Sequence, residues 1–521
     1  MAKEIHWADL AAENLIKIKN KESYVCASGI TPSGTVHFGN FREVITTALI
    51  IKALEDKSKK AKFIYSWDDY DVFRKIPKNM PNQEILQKYL RQPIIDIPDT
   101  FGCHKNYAEH NEKKFENDLP LVGIKPKFIS QAKMYRECKY AEEIKTAMIN
   151  RKKIVVILNK YREEPLEENW YPLSIYCEKC NTDDTQITDY DEKYSVSYVC
   201  NACKFKDTFD FRKKGISKLS WRADWPMRWY YENVDFEPGG KDHSVAGGSY
   251  STAKEIVKEV WKKEAPFYVM YDFIGIKGIG GKVSSSKGNV ITLGEVLEIY
   301  EPEITRWIFA ASRPNAEFSI SFDLDILNDY ETFDKCERTY FGEEKIENED
   351  RLQKEKRIYE LSCMEIPKKL PIQPSFRHLT NLLQIHNMNE KEVIKSFENE
   401  VKNEFDKKRV KNRTICAKNW LEKYAPEELK FKVQENINIK LDKKQKDIIK
   451  SLIKVLEKKK YKEQDLFNEF YTIINENKIK PDEFFKLTYN ILINKERGPK
   501  LATLILAIGQ EKIINLLKKV S

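Results

Sequence analysis

The first hundred residues alternate apolar runs with helical periodicity, a pattern that predicts a parallel α/β unit. Segments 24–27 and 62–69 are apolar-rich and short enough for strands, whereas the run from Phe41 to Leu54 repeats at helical spacing. A strand, a helix and a second strand in this order form a parallel pair with a right-handed crossover. Because ligands bind at the carboxyl ends of such strands, we expect chemistry at the turn that follows residue 27.

The pattern changes further along the chain. Scattered cysteines, histidines and aromatic residues between about 97 and 215 indicate an insertion, and the α/β rhythm returns near Trp221 and includes the apolar strand 266–271. After Gly342 no glycine occurs until Gly498, and apolar residues recur at helical spacing, so the last third is predicted to be helical. We therefore predict five segments: two halves of one parallel-sheet domain around an insertion, then a connecting region and a helical domain, with bounds 1–96, 97–215, 216–275, 276–340 and 341–521.

The turn 32–39, with the sequence Pro-Ser-Gly-Thr-Val-His-Phe-Gly, lies between the first strand and the first long helix. Its glycines allow backbone N–H groups to approach a phosphate, and the start of the helix carries partial positive charge. His37 stands at the start of that helix as a hydrogen-bond donor. The turn by itself is equally compatible with a loop of small residues and a surface histidine.

Two further glycine-rich segments have the residue types of a nucleotide site. Segment 280–289 holds Lys282, Lys287 and three serines between glycines, which suits a leaving polyphosphate. In segment 239–243 a glycine pair precedes Lys241, Asp242 and His243, which suits the ribose and base of an adenosine. Taken singly, each segment is also compatible with a solvated loop.

Composition and cysteine spacing narrow the class of protein. The chain has 521 residues, of which 41% are hydrophobic, so we expect several domains. Its net charge of +9 permits a nucleic-acid partner. No apolar signal segment or membrane-length apolar run occurs, so we expect a cytoplasmic protein. Ten cysteines include two CxxC pairs separated by nineteen residues, a spacing that predicts a structural zinc site: Cys177, Cys180, Cys200 and Cys203.

In combination, the motifs resemble those of class I aminoacyl-tRNA synthetases. The tetrad 37–40 resembles the HIGH signature and segment 282–286 resembles KMSKS. Segments 27–37, 65–75, 221–229 and 282–289 together resemble the class I lysyl-tRNA synthetases, and the similarity extends from about residue 5 to the C-terminus. This resemblance implies a Rossmann-like catalytic domain with a zinc-containing insertion, a KMSKS and stem-contact region at 276–340, and a C-terminal α-helical anticodon-binding domain.

The resemblance also implies a two-step reaction. Lysine attacks the α-phosphorus of ATP, which travels with Mg²⁺, to form lysyl-adenylate and pyrophosphate, and the lysyl group then passes to the 3′ end of tRNA(Lys). We expect His37 and Asn40 to donate hydrogen bonds to the phosphates and Lys282 with Lys287 to act as a mobile clamp, although Ser285 stands where KMSKS has its second lysine. The implied ATP-binding residues are Pro32, Ser33, Gly34, His37, Gly39, Asn40, Gly240, Asp242, His243, Lys282, Ser284, Ser285 and Lys287.

Lysine specificity and a second metal site rest on the same resemblance. The implied lysine-binding residues are Gly29, Thr31, Phe73, Trp221, His243 and Tyr271, with Asp69 and Asp272 as candidate partners of the ammonium group. The implied ligands of a second zinc are Asp99, Cys103, His104 and His110. We expect the lysine-rich C-terminal helices to hold the anticodon, and we expect a monomer.

Two alternatives remain open at this point. The replacements at Asn40 and Ser285 are compatible with a tRNA-binding paralogue that has lost catalysis. A class I ligase specific for glutamate is a second alternative, but it would need a cationic pocket, and segment 28–31 offers no arginine before the Pro-Ser turn.

Overall fold

The apolar segments of the first half assemble into a parallel sheet in the computed structural model, which describes residues 5–167, 169–278, 290–435 and 439–520. The strands are β1 (Ser23–Ile30), β2 (Lys60–Trp67), β3 (Lys127–Ser130), β4 (Leu173–Ile175), β5 (Thr185–Tyr190), β6 (Ser195–Cys200), β7 (Lys206–Asp210), β8 (Ser217–Leu219), β9 (Phe236–Gly240), β10 (Phe267–Tyr271), β11 (Ile274–Lys277) and β12 (Phe318–Ser321).

Helices connect and cover these strands. They are α1 (Trp7–Lys19), α2 (Phe38–Asp56), α3 (Gln83–Gln87), α4 (Tyr107–Asp118), α5 (Gln131–Arg136), α6 (Ala141–Ile149), α7 (Arg151–Asn159), α8 (Trp221–Tyr231), α9 (Lys241–Ser244), α10 (Ser249–Trp261), α11 (Leu293–Leu297), α12 (Pro302–Ala310), α13 (Ile326–Phe341), α14 (Glu349–Ser362), α15 (Phe376–Ile385), α16 (Glu390–Ser396), α17 (Glu404–Lys423), α18 (Lys443–Lys458), α19 (Glu463–Glu476), α20 (Pro481–Ile493), α21 (Leu501–Ile508) and α22 (Gln510–Lys518). Two short 3₁₀ turns occur at Ile94–Asp96 and Leu119–Val122.

The chain forms two compact units. The first comprises Met1–Leu297, Pro302–Ile320 and Cys336–Ile366, and the second comprises Glu298–Glu301, Ser321–Lys335 and Pro367–Ser521. The finer division into five segments stays a prediction. Among the described residues, no helix is both long and apolar enough to cross a membrane.

The main sheet of the first unit is parallel, and the described strands run in the order β10-β9-β1-β2-β3. The chain adds β2 and β3 on one side of β1, and later adds β9 and then β10 on the other side. The carboxyl ends of β1 and β9 therefore flank the crevice where ligands bind in open α/β sheets. The predicted Rossmann-like catalytic fold is confirmed.

Two local features shape the end of β1. Gly29 pairs with Ser66 of β2, and a Cβ atom at position 29 would lie 2.6 Å from the Ser66 carbonyl oxygen, so no side chain fits there. Helix α2 begins at Phe38, three residues before the apolar run from Phe41. The earlier start follows from Asn40, whose side-chain Oδ1 accepts a hydrogen bond from the backbone N–H of His37 at 3.0 Å.

The insertion and the C-terminal part also agree with the sequence pattern. Strands β5, β6 and β7 form a small antiparallel sheet beside the four cysteines. The described residues after Gly342 contain helices and connecting segments but no strand, which confirms the predicted helical region. The apolar faces of α18 to α22 make one core there.

Candidate active site

The predicted phosphate turn lies at the carboxyl end of β1 and supplies neutral donors. Because the Asn40 oxygen is taken by the His37 N–H, Asn40 has its NH₂ group to offer a ligand. Burial lowers the pKa of His37 to about 4, so the ring is neutral at physiological pH. Its Nδ1 is buried and has no hydrogen-bond partner among the described residues. A Cβ atom at Gly39 would lie 2.8 Å from the His37 ring, so glycine keeps this space open.

The start of α2 contacts the described chain that follows segment 280–289. The Phe38 N–H at the start of α2 donates to the Ile291 carbonyl at 2.6 Å, and Ile291 follows segment 280–289 by two residues. The turn is also held from its other side, where the Tyr107 hydroxyl donates to the Ser33 carbonyl at 2.9 Å. Residues Lys282, Ser284, Ser285 and Lys287 lie outside the described residues, so their predicted roles stay predictions.

A cavity between β1, β9 and α8 is lined by acidic side chains. Glu43, Asp68 and Glu237 line it together with one cation, Arg228. Arg228 pairs with Asp68 at 2.6 Å; among the described residues that line the cavity, none forms an ion pair with Glu43 or Glu237, although the charge of Arg228 opposes the rise in the pKa of Glu237. Burial raises the pKa of Glu43 to about 8 and that of Glu237 to about 7, because a buried carboxylate without a cation is costly. The cavity is suited to a cationic ligand.

Glu43 connects two predicted lysine-binding residues. Its Oε1 accepts the Gly29 N–H at 2.9 Å and its Oε2 accepts the Tyr271 hydroxyl at 2.7 Å. On the opposite side, the Trp229 indole N–H donates to Glu237 at 2.5 Å. These bonds fix both carboxyl groups at the crevice.

Aromatic rings form one wall of the same cavity. Trp221 and Trp225 stack with ring centroids 5.2 Å apart, and the His243 ring lies 5.8 Å from Trp225. Burial lowers the pKa of His243, which keeps its ring neutral. Such a wall packs against an apolar stem and stabilises a nearby cation. Gly29, Trp221 and His243 are thus brought together at one cavity.

Thr31 contacts a network of ion pairs that extends to Arg228 of the cavity. Its hydroxyl donates to Asp71 at 2.8 Å. Lys218 pairs with Asp71 at 2.7 Å and with Asp224 at 3.4 Å, and Asp224 in turn contacts Arg228 at 3.3 Å. The network holds Arg228 against Asp68, at the edge of the cavity.

Other predicted residues lie away from the cavity wall. Asp69 accepts the Ser130 hydroxyl at 2.5 Å and the Ala132 N–H at 2.7 Å, so it secures the turn after β3. Phe73 is fully buried, and its ring lies 5.4 Å from that of Tyr107. Their contact with lysine stays a prediction.

The predicted adenosine segment follows β9. Gly240 precedes the one-turn helix α9, which carries Asp242 and His243. Asp272 pairs with Lys241 of this helix at 3.1 Å, a contact that competes with its predicted role as partner of the ammonium group. The segment borders the crevice, because Gly239 and His243 line the acidic cavity.

Sequence reasoning missed Glu43, Glu237 and Asp68. Glu43 lies on α2 in the sequence Phe-Arg-Glu-Val, which resembles any helical surface. A usable signal existed at Glu237, a carboxylate placed inside the otherwise apolar strand β9, because a charged residue is rarely fully buried without a function or a partner.

Both predicted metal clusters are assembled. The ligand atoms of Cys177, Cys180, Cys200 and Cys203 lie within 4.8 Å of one another, and two of the sulfur pairs are 3.6 Å apart. Tetrahedral Zn–S bonds of about 2.3 Å require sulfurs about 3.8 Å apart, so this cluster fits zinc.

The second cluster is more exposed. The Cys103 sulfur lies 3.0 Å from Nδ1 of His104 and 3.2 Å from Nδ1 of His110, and Asp99 lies 3.6 Å from His110. Sulfur, imidazole and carboxylate are all ligands that zinc accepts.

Comparison with known proteins gives the same assignment. The family described as tRNA synthetases class I (K) matches residues 5–365. The chain belongs to this family, the class I lysyl-tRNA synthetases. The resemblance of the motifs is therefore confirmed, and with it the predicted class of enzyme, an ATP-dependent, AMP-forming ligase that joins lysine to tRNA.

Similarity to individual lysyl-tRNA synthetases covers nearly the whole chain. Proteins named lysine–tRNA ligase from Borreliella burgdorferi and Thermococcus kodakarensis are 50% and 41% identical, each over 99% of this chain and 99% of its own length. The protein of that name from Methanocaldococcus jannaschii is 36% identical over 98% of this chain and 99% of its own. A solved glutamate tRNA ligase from Elizabethkingia meningosepticum covers 96% of this chain and 99% of its own at 12% identity and a TM-score of 0.43, a likeness too weak to carry an argument.

Proposed function

We propose that this synthetase binds lysine in the acidic cavity between β1 and β9 and activates it against ATP held at the turn 32–40. The observation that carries the proposal is the excess of buried carboxyl groups, Glu43 and Glu237, beside the stacked Trp221 and Trp225. A lysine side chain supplies the missing cation, and the indole rings cover its apolar stem. A glutamate side chain would add a further negative charge to the same cavity.

The reacting groups need positioning more than acid–base chemistry. The lysine carboxylate, already ionised, attacks the α-phosphorus of ATP, and the bond to pyrophosphate breaks, so no general base is needed. His37 and the NH₂ group of Asn40 donate to phosphate oxygens as charge develops. Lys282 and Lys287 act as the clamp on the leaving pyrophosphate, with Ser284 and Ser285 as hydroxyl donors. Mg²⁺ accompanies the phosphates of ATP without a dedicated protein cage.

Two zinc ions support the structure of the insertion. The four cysteines, which lie before β5 and at or just after the end of β6, close one site, and the Asp99 cluster, which extends from the loop before α4 to His110 in its first turn, closes the other. Metal analysis of protein washed with a weak chelator is expected to give two zinc ions per chain. Cys200→Ser should lower the count by one, and Cys103→Ser should do so independently. One ion in the unaltered protein would exclude one of the sites.

The remaining proposals concern tRNA. The helical region holds the anticodon, and the enzyme works as a monomer in the cytoplasm, where translation takes place. Positive charge at 439–520, with 19 Lys and Arg against 11 Asp and Glu, supports a polyanionic partner for this region.

The deciding experiment is pyrophosphate exchange into ATP, dependent on lysine and measured with and without tRNA(Lys). We expect exchange with lysine and none with glutamate. His37→Ala should lower the maximal rate more than it raises the KM for lysine, because its contact strengthens in the transition state. Absence of exchange under both conditions, with tRNA binding retained, would favour a paralogue without catalysis.

A further inference from the structure

Two exposed aromatic rings distinguish the second unit. Phe467 and Tyr471 on α19 are 39% and 41% exposed, whereas every other aromatic side chain described in this unit is buried or half-buried. Their ring centroids lie 5.2 Å apart at an interplanar angle of 64°. Large rings that pack on each other at the surface of a helix, instead of in its core, indicate a binding surface.

Amide side chains continue this surface. Gln464, Asn468 and Asn475 are exposed on the same helix, and the Gln464 amide donates to Asn468 at 3.1 Å. At about 100° per residue, these three and the two rings of Phe467 and Tyr471 lie within roughly 100° of the helix circumference. We call these five residues the α19 face. It carries no charged residue, although 33% of the chain is charged.

The charges around the α19 face suit a polyanion. Exposed Lys460 and Lys462 precede the helix, and exposed Lys478 and Lys480 follow it. The segment 439–520 carries a net charge of +8, while the whole chain carries +9, so nearly all the excess positive charge of the protein is found here.

Three of the four carboxylates of α19 point away from the α19 face. Asp465, Glu469 and Glu476 project roughly 160° to 200° away from Phe467 around the helix. Glu463 is the exception: it precedes Phe467 by one helical turn, roughly 40° away around the helix, and it lies 3.9 Å from Lys500. The α19 face itself therefore carries no charge and lies between two lysine pairs, with one carboxylate, Glu463, at its border beside Lys500.

We propose that the α19 face binds unpaired bases of the tRNA anticodon loop. The inference rests on the proposed function, in which the helical region holds tRNA, and it assigns the contact to one helix. Phe467 and Tyr471 stack on base faces, as aromatic side chains do with single-stranded RNA. The amides of Gln464, Asn468 and Asn475 donate to and accept from base edges, and the flanking lysines contact phosphates. A protein partner of the same area would call for a larger apolar surface than two rings.

The test measures binding of two RNA hairpins to the full-length protein by fluorescence anisotropy. One hairpin carries the tRNA(Lys) anticodon stem and its seven-nucleotide loop, and the other has the same stem closed by a stable tetraloop. The variant Phe467→Ala/Tyr471→Ala is expected to weaken binding of the anticodon hairpin at least tenfold and to leave the tetraloop hairpin within twofold. Phe467→Tyr should retain the affinity, and the matched control Leu324→Ala, a 42% exposed apolar residue of the same unit, should not change it.

Aminoacylation separates failure of the α19 face from failure of the proposed function. With tRNA(Lys), the double variant should show a KM for tRNA raised at least tenfold and a kcat within twofold of the original. Unchanged affinity and KM in an active enzyme would overturn the α19 face and leave the proposed function intact. An equal loss of affinity for both hairpins would also overturn it, because stacking on loop bases cannot act on a closed stem. An unaltered protein that neither binds the anticodon hairpin nor charges tRNA(Lys) would contradict the proposed function as well.

Discussion

Each unit of this synthetase contains a cluster of buried charges, and the two clusters are balanced differently. In the second unit, Arg413 is completely buried and donates to Glu301 at 2.7 Å and to Asp334 at 2.8 and 2.9 Å. Arg409 adds a contact to Glu301 at 3.3 Å. Two guanidinium groups thus face two carboxylates, and although burial opposes its charge, Glu301 and Asp334 raise the pKa of Arg413.

The cavity of the first unit lacks such balance. Arg228 pairs with Asp68, whose pKa burial still raises to about 6, while Glu43 and Glu237 accept hydrogen bonds from neutral donors only. Their pKa values are raised, to about 8 and about 7, whereas the carboxylates around Arg413 have their cation. A balanced buried cluster stabilises the fold, whereas an unbalanced one carries a free-energy cost that a ligand of opposite charge relieves.

The largest expected effect is the loss of one partner from the balanced cluster. Arg413→Ala leaves Glu301 and Asp334 buried without their main cation, which should lower the local free energy of unfolding by about 3–5 kcal/mol. Hydrogen exchange of the α17 amides, measured by mass spectrometry, reports this change. Arg497→Ala, an exposed arginine of the same unit, is the control and should stay within about 0.5 kcal/mol. A loss below about 1 kcal/mol for Arg413→Ala would mean that the cluster does not stabilise the unit.

Removal of a charge from the unbalanced cluster should impair lysine activation without lowering stability. Glu43→Gln keeps the shape and lets the amide oxygen accept the Gly29 N–H, while its NH₂ group can donate to the Tyr271 hydroxyl, but it removes the charge of the proposed partner of the ammonium group. We expect kcat/KM for lysine to fall by about 1.5–3 kcal/mol, or roughly 10- to 150-fold. Stability at neutral pH should rise, by up to about 3 kcal/mol, because Glu43 is protonated in the folded protein but ionised in the unfolded chain, and glutamine removes the cost of taking up that proton.

The control for this variant lies on the same helix. Glu55→Gln replaces an exposed carboxylate of α2 and should affect neither quantity. Lysine activation that survives Glu43→Gln within twofold would assign the ammonium group to another partner, with Glu237 the next to be tested.

Short-range patterns in the sequence predicted much of the molecule. The CxxC pairs give a closed thiol cluster because the tight turns of a zinc ribbon are specified locally. The apolar segments around the turn 32–39 likewise gave adjacent parallel strands, and the helical last third followed from residue types that favour helices.

What sequence reasoning could not supply is set by contacts between distant residues. Glu43 becomes a candidate site residue only because β1 and β10 bring Gly29 and Tyr271 to its two oxygens. Phe73, which the resemblance implied as a lysine contact, has its ring in a core with Tyr107, a long-range packing contact that its sequence neighbours do not report. The start of α2 at Phe38 depends on the Asn40 side chain, a capping contact that apolar periodicity does not report.

The smallest expected effect is the pH dependence of lysine binding. The folded protein holds a proton on Glu43 up to about pH 8, against about 4.5 for a free glutamate, so the ammonium group must displace that proton at lower pH. A raised carboxyl pKa also means that Glu43 favours folding less as pH rises from about 4.5 to 8. Lysine affinity should therefore increase as pH rises through this range, by roughly five- to tenfold between pH 7.0 and 8.5, where lysine itself keeps its ε-ammonium.

Calorimetry tests this dependence directly. Titration of lysine into the protein at pH 7.0, in two buffers of different ionisation enthalpy, should show release of close to one proton, and Glu43→Gln should flatten the profile. Glu237, with a pKa raised to about 7, should add a smaller dependence that persists in this variant at lower pH. Affinity that is constant from pH 7.0 to 8.5 in the unaltered protein would mean that Glu43 is ionised before lysine arrives. In that case the carboxylates of the cavity are not an unbalanced cluster, and they would differ from the cluster around Arg413 only in their position in the molecule.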